Sequence, residues 1–322
     1  MAKEKGAEMN LKELVQDARI QRGLWWQRAL SLVEGCTPVS EACDKCWAAA
    51  QCHMRQHQKN SKMWSRYGGL TTSDGKWNGK VRLLDDNILL PHKVRKPTLW
   101  SVWNDLFHPL VPEHFIYDAF ATFAACQHHF FLVLTKRIDR ALNFCKRLSF
   151  IEPHELEHLD KPSCSLASQQ QLEILGDKLT SRPLPNVGIG TTVELPKYMD
   201  RVKTLLQVPA ALHFVSLEPL LGELRLKKYL AIASEGEWLN AVELGIHNKK
   251  LDWVIVGCES GRKARAPHYS HLTGIMVDCK DAKVPLFLKQ WRNDIGVPGQ
   301  LKKAPYWHGK QYLQFPDVEW TP

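Results

Sequence analysis

His129-Phe-Phe-Leu-Val-Leu-Thr-Lys-Arg137 holds an unbroken apolar run from Phe130 to Leu134, closes on three polar residues, and leads directly into the helix-like pattern Ile138 to Leu148. A run this short, rich in aromatic and branched side chains, reads as a strand. Its lack of alternation further marks a parallel strand covered on both faces. Working outward, the same unit recurs. Candidate strands are Thr98 to Trp103, Asn186 to Thr191, Leu212 to Ser216, Trp253 to Gly257 and Pro285 to Lys289, with a first short strand just before Cys36. Helical segments are expected at Pro112 to Cys126, Leu195 to Gln207 and His271 to Lys283, and a leading helix at Leu11 to Arg22. The rhythm predicts an α/β fold, a partial or complete parallel (β/α) barrel of six or seven units. An open doubly wound sheet is the alternative, but no Gly-x-Gly-x-x-Gly follows a strand and no Walker loop is present.

The 322 residues are 44% hydrophobic and 24% charged, with a net charge of +9 from 43 Lys plus Arg against 34 Asp plus Glu. That balance admits a polyanionic partner as readily as a solvated basic surface. No apolar run is long enough to cross a membrane and no secretory leader is apparent, so a cytoplasmic protein is expected. Residues 1–24 read as an N-terminal extension and 25–297 as the barrel, with insertions near 150–183 and 225–250. An aromatic tail at 298–322 is expected to pack on the body.

Binding sites in parallel βα architectures lie at the carboxyl ends of the strands. Here nearly every end is polar: Asn104 and Asp105; Thr135, Lys136 and Arg137; Thr191 with Glu194; Ser216 and Glu218; Glu259 and Ser260; Lys289 and Gln290. Each has an ordinary reading as well. Glu218 before Pro219 suits a turn, Lys289 suits a chain reaching to solvent, and Asp105 suits a local cap. Taken as a set they converge on a ligand pocket.

The nine cysteines show no disulfide framework. Cys36, Cys43 and Cys46 form a Cys-x6-Cys-x2-Cys loop. Three thiolates leave one iron of a 4Fe-4S cluster open, whereas structural zinc takes four protein ligands. Cys52, with His53 or His57, offers a four-ligand zinc alternative. Cys46 to Gln51 reads as a helix start, however, which places Cys52 about one and two-thirds turns on, facing away from the loop. Cys126 and Cys145 read as core residues, and Cys258 as a packed thiol at a strand end.

Gly35-Cys-Thr-Pro-Val-Ser-Glu-Ala-Cys-Asp-Lys-Cys-Trp-Ala48, Asn104-Asp-Leu-Phe-His108, Val133-Leu-Thr-Lys-Arg137 and Leu184-Pro-Asn-Val187 carry a resemblance. So do Pro209-Ala-Ala211, Phe214-Val-Ser-Leu-Glu-Pro-Leu-Leu-Gly222, Trp253-Val-Ile-Val-Gly-Cys-Glu-Ser-Gly261 and Phe287-Leu-Lys-Gln-Trp291. In order, from about residue 30 to residue 292, they resemble the phage-associated three-cysteine-motif family of radical-SAM-like proteins. That family is distantly similar to spore photoproduct lyase, a radical SAM enzyme acting on DNA. The chain departs from the family at Trp47, usually Tyr, at Gly257-Cys258, usually two glycines, and in lacking an Asn-Pro-Trp lead-in to the cysteine loop.

The resemblance implies a radical SAM-type barrel in which Cys36, Cys43 and Cys46 hold a 4Fe-4S cluster that binds and cleaves S-adenosylmethionine. It implies cofactor contacts from Asn104, Asp105, Thr135, Lys136, Arg137, Thr191, Glu194, Ser216 and Glu218. Glu259, Ser260, Lys289 and Gln290 would meet the substrate as catalytic residues. DNA, RNA or a nucleotide is the expected substrate, with an external electron donor; a partner protein is a further candidate. The rival expectation is a metal-stabilised, non-catalytic barrel binding nucleic acid or protein. A hydrolase is disfavoured because no Ser-His-Asp set stands out.

Overall fold

The computed structural model describes residues 8–16, 19–58, 60–150, 183–230, 249–261, 264–265, 267–292 and 300–321. Eight strands form its main sheet: β1 (Arg28–Ser31), β2 (Leu99–Trp103), β3 (Phe130–Thr135), β4 (Val187–Thr192), β5 (Leu212–Leu217), β6 (Trp253–Gly257), β7 (Leu286–Trp291) and β8 (Lys302–Lys303). Their order in space follows their order in sequence, β8-β7-β6-β5-β4-β3-β2-β1, with β1 to β7 parallel and β8 antiparallel on the edge. Among the described residues β1 and β8 do not pair with each other, so the sheet is a curled half-barrel rather than a closed one.

Consecutive residues of a strand face opposite sides, and the two sides are covered differently. Trp100, Val102, Phe131, Val133, Val215 and Val254 join a core with the helices α3 (Glu113–Ala125), α4 (Ile138–Phe150), α5 (Asp200–Leu205) and α6 (Tyr269–Asp281). Their neighbours Leu99, Phe130, Leu132, Phe214, Trp253 and Phe287 face inward. There they meet Leu11, Ile20, Trp25 and Trp26 from the N-terminal segment and Phe315 and Trp320 from the tail. Both faces of the strands are therefore dry, which accounts for the apolar runs. Met9–Asn10 pairs antiparallel with Glu319–Trp320, joining the two plugging segments to each other.

This docking also explains a correction. The expected leading helix over 11–22 is instead a four-residue helix, Leu11–Leu14, and a 3-10 turn, Ile20–Arg22. The amide of Leu11 donates to Val318 O at 2.9 Å, so the segment follows the tail rather than its own helical periodicity. The helix expected over 195–207 is likewise divided into a 3-10 turn, Pro196–Tyr198, and α5. The insertion expected near 150–183 lies outside the described residues except at its two ends; of the one near 225–250, residues 225–230 and 249–250 are described, with a short helix at Lys227–Leu230. No described helix is long and apolar enough to cross a membrane.

Candidate functional site

The cysteine loop is launched by a short ribbon, Val33–Gly35 against Val81–Leu83. Gly35 has φ of +92°, and a Cβ there would lie 2.1 Å from Lys80 O, so the residue before Cys36 has to be glycine. Glu34, buried, accepts from Arg66 Nη2 at 2.5 Å and from Asn104 Nδ2 at 2.9 Å, which ties the ribbon to the end of β2. Asn104 itself has φ of +61° and also donates to Val33 O at 2.6 Å. After Cys36 the chain makes a 3-10 turn, Glu41–Lys45, and Cys46 caps helix α1 (Trp47–Gln56), which α2 (Ser61–Tyr67) follows. The positive end of that helix therefore faces the loop.

Three buried carboxylates at strand ends hold cations against this loop. Asp105 accepts from Thr135 Oγ1 at 2.6 Å and from Arg137 Nη1 at 2.6 Å; Arg137 then reaches Thr37 O at 2.9 Å and Cys36 Sγ at 3.7 Å. Glu194, fully buried, accepts from Lys136 Nζ at 2.8 Å, from Arg201 Nη1 at 3.0 Å and from Ser40 Oγ. The same Lys136 Nζ lies 2.8 Å from Ser40 Oγ and 3.8 Å from Cys43 Sγ. Glu259 accepts from Arg265 Nε at 2.9 Å and has Lys45 Nζ at 4.0 Å, and Arg265 Nη2 donates to Glu41 O at 3.1 Å.

The environment separates the thiols. Burial, reinforced by the Asp105 charge, pushes Cys36 up to about 11, against the opposing pull of Arg137. For Cys43 burial acts in the same sense, but Lys136, the Val39 amide and Ser40 together outweigh it and its value falls below the ordinary thiol range. His108 is held neutral by burial and by Arg137. Its Nδ1 accepts from the Leu110 amide at 3.1 Å, so Nε2 carries the proton and donates to Thr37 Oγ1 at 2.8 Å.

Cys36, Cys43 and Cys46 all line a pocket of about 250 Å³ at the carboxyl ends of the strands. Glu218 and Lys289 also line it, with both Glu218 oxygens 3.2 Å from Lys289 Nζ. Glu218 Oε1 is buried and accepts no hydrogen bond from the described residues, its contact with Lys289 being an ion pair. Gly257 leaves the space for it, since a Cβ there would sit 2.5 Å from that oxygen. Trp26, Trp47 and Trp103 add an aromatic wall; the rings of Trp47 and Trp103 are 5.0 Å apart, edge to face, and Trp47 is 45% exposed. A larger groove, about 910 Å³, lies away from these residues between α6 and the tail. The convergence of thiols, charge pairs and strand ends marks the smaller pocket as the site.

A family model described as a protein of unknown function, DUF5131, matches residues 21–316. The chain belongs to the DUF5131 family. No curated protein and no solved structure matches it.

Of the site residues expected from the sequence of this DUF5131 chain, Asn104, Asp105, Thr135, Lys136, Arg137, Ser216, Glu218, Glu259, Ser260, Lys289 and Gln290 line the pocket with the three cysteines. Thr191 does not. It is fully buried on the helix-facing side of β4, its Oγ1 donating to Thr135 O at 2.8 Å, and Thr192 faces the pocket instead. Glu194 is not a lining residue either; it acts through Ser40 and Lys136. Gln290 is occupied by Cys258 O at 2.6 Å and by Lys303 Nζ at 2.7 Å. Cys52 is buried on α1, 3.5 Å from Tyr67 O, and His53 bonds Thr71 Oγ1 at 3.1 Å, so neither lines the pocket. Cys258 is a buried lining residue, its thiol pushed up to about 11 by burial. Ser40, His108, Arg201 and Arg265 also hold the site together, though none of them is among the residues expected from the strand ends. Ser40 lies within Gly35 to Ala48 and His108 within Asn104 to His108, which is the signal the sequence carries for them.

Proposed function

We propose that the chain is a radical SAM-type enzyme whose Cys36, Cys43 and Cys46 hold a 4Fe-4S cluster, and which acts on a nucleic acid or nucleotide. The observation carrying this reading is that three free thiols of one loop and the polar ends of the parallel strands line one pocket. Among the described residues no three His, Cys, Asp or Glu side chains stand gathered as a metal-holding group. The donor set suits the cluster: three thiols of one loop, the further lining thiol Cys258 standing on a strand end instead, and a helix N-terminus with Arg137 and Lys136 to favour negative charge on sulfur. The Glu218–Lys289 pair offers both signs of charge to the amino and carboxylate groups of S-adenosylmethionine. Such a cluster would pass one electron, taken from an external donor, to S-adenosylmethionine, for cleavage to methionine and a 5'-deoxyadenosyl radical.

The chain's own residues bind, orient and keep the site dry. Asp105, Glu194 and Glu259 are already engaged by cations, so they position the loop rather than touch ligand. Thr192, Ser216, Glu218 and Lys289 face the space and are the contacts for cofactor and substrate. Trp26, Trp47 and Trp103 offer faces and edges to a planar base. The nucleic-acid part of the reading rests on the net charge of +9, the family likeness and this aromatic wall. Anaerobically purified protein is expected to contain iron and acid-labile sulfide in equal amounts, both lost in Cys36→Ala, Cys43→Ala or Cys46→Ala. One zinc per chain and no sulfide would point to the metal-stabilised, non-catalytic barrel instead.

A further inference from the structure

We propose that the groove between α6 and the C-terminal segment binds a single strand of nucleic acid, a surface separate from the cysteine pocket. This rests on the reading that the substrate is a nucleic acid, and supplies the place where the remainder of a long substrate is held. Lys280 and Lys283 stand on one wall and Lys310 on the other, with His308 and Lys12 also lining; none of the described lining residues is Asp or Glu. Lys12 is paired with Asp317 at 2.7 Å, so Lys280, Lys283 and Lys310 carry the attraction. Such a channel presents one sign of charge along about 910 Å³ of open space.

The aromatic residues beside it favour a nucleic-acid strand over an acidic peptide. Tyr269 stacks on the lining Trp307 with centroids 4.6 Å apart and planes at 22°, and remains 39% exposed, a platform for a base. Tyr306 is 63% exposed and Lys310 lies 5.5 Å from the ring of Tyr312. Lysines interleaved with aromatic faces are the usual means of holding single strands. A peptide would gain most by adding to the edge of the sheet. That edge is already taken: β8 pairs with the upper half of β7, while Leu288 N donates to Tyr312 O at 2.7 Å and Gln314 N to Leu286 O at 3.1 Å.

The test is binding of the reconstituted full chain to a labelled strand of about 20 nucleotides, as DNA and as RNA, across a salt series. Lys280→Gln/Lys283→Gln/Lys310→Gln is compared with a control set of equal charge loss at the exposed Lys62, Lys93 and Lys96. The groove variant is expected to bind about tenfold more weakly at low salt, and its log-log salt slope to fall by about 2, the loss of three phosphate contacts. The control set should change neither by a comparable amount. Equal effects in both sets, an unchanged groove variant, or tighter binding of polyglutamate than of the strand overturns the groove. Wild-type protein that binds no strand at all overturns the groove and the nucleic-acid substrate together. Strand binding as expected from a protein that forms no 5'-deoxyadenosine keeps the groove and removes the catalytic reading alone.

Discussion

Glu194 shows how much can rest on one side chain. It is wholly out of solvent, yet it carries Lys136 and Arg201, and through Ser40 it reaches a loop 154 residues earlier in the chain. Removing one member of a buried ion network strands the others, which costs more than the network is worth as a whole. Glu194→Gln is therefore expected to destabilise by about 3–5 kcal/mol, read as a lower denaturant midpoint with an unchanged slope. A loss under about 1 kcal/mol would show that Lys136 and Arg201 find water or other partners. The sequence placed Glu194 at the pocket because it follows a strand end. It could not show that the side chain turns to the cysteine loop, since that depends on contacts between distant segments. Thr191 and Thr192 make the same point: the period of two along a strand means that a one-residue change in register exchanges the buried face for the pocket.

At the scale of elements, parallel strands and amphipathic helices were legible because their patterns are local, and Trp253–Gly257 begins and ends as read. The N-terminal segment was not, because its conformation is set by the tail it packs against. Helix α3 carries a clear electrostatic signature. Asp118 is buried on it, and loss of solvation pushes its carboxyl up to about 6. A folded value above the ordinary 3.8 favours the protonated form, so the associated stability is complete below about pH 4 and is lost as pH rises through about 6. Asp118→Asn is accordingly expected to raise the melting temperature at pH 8 and leave it nearly unchanged at pH 4. An equal shift at both pH values, or destabilisation at pH 8, would locate the effect in packing rather than in charge.

For the whole molecule, the concave face is closed by both ends of the chain rather than by helices. Phe315 lies 4.9 Å from Trp253 and 5.4 Å from Phe287, and Trp320 lies 5.1 Å from Phe130, so the tail is part of the core. Truncation after residue 305 should expose this face and abolish the cooperative thermal transition; a truncated protein with an unchanged melting temperature would show that the N-terminal segment closes the face alone. With the lower part of the half-barrel filled, the open space lies at the carboxyl ends, where the three thiols are. The cysteine spacing alone reads as an incomplete metal site, and the fold brings the three thiols into one pocket with Glu218 and Lys289. The most direct test is 5'-deoxyadenosine released by anaerobically reconstituted protein given dithionite and S-adenosylmethionine. The account predicts release by the wild type and none from Cys36→Ala, Cys43→Ala or Cys46→Ala; a wild type that holds iron and sulfide yet releases none would contradict it.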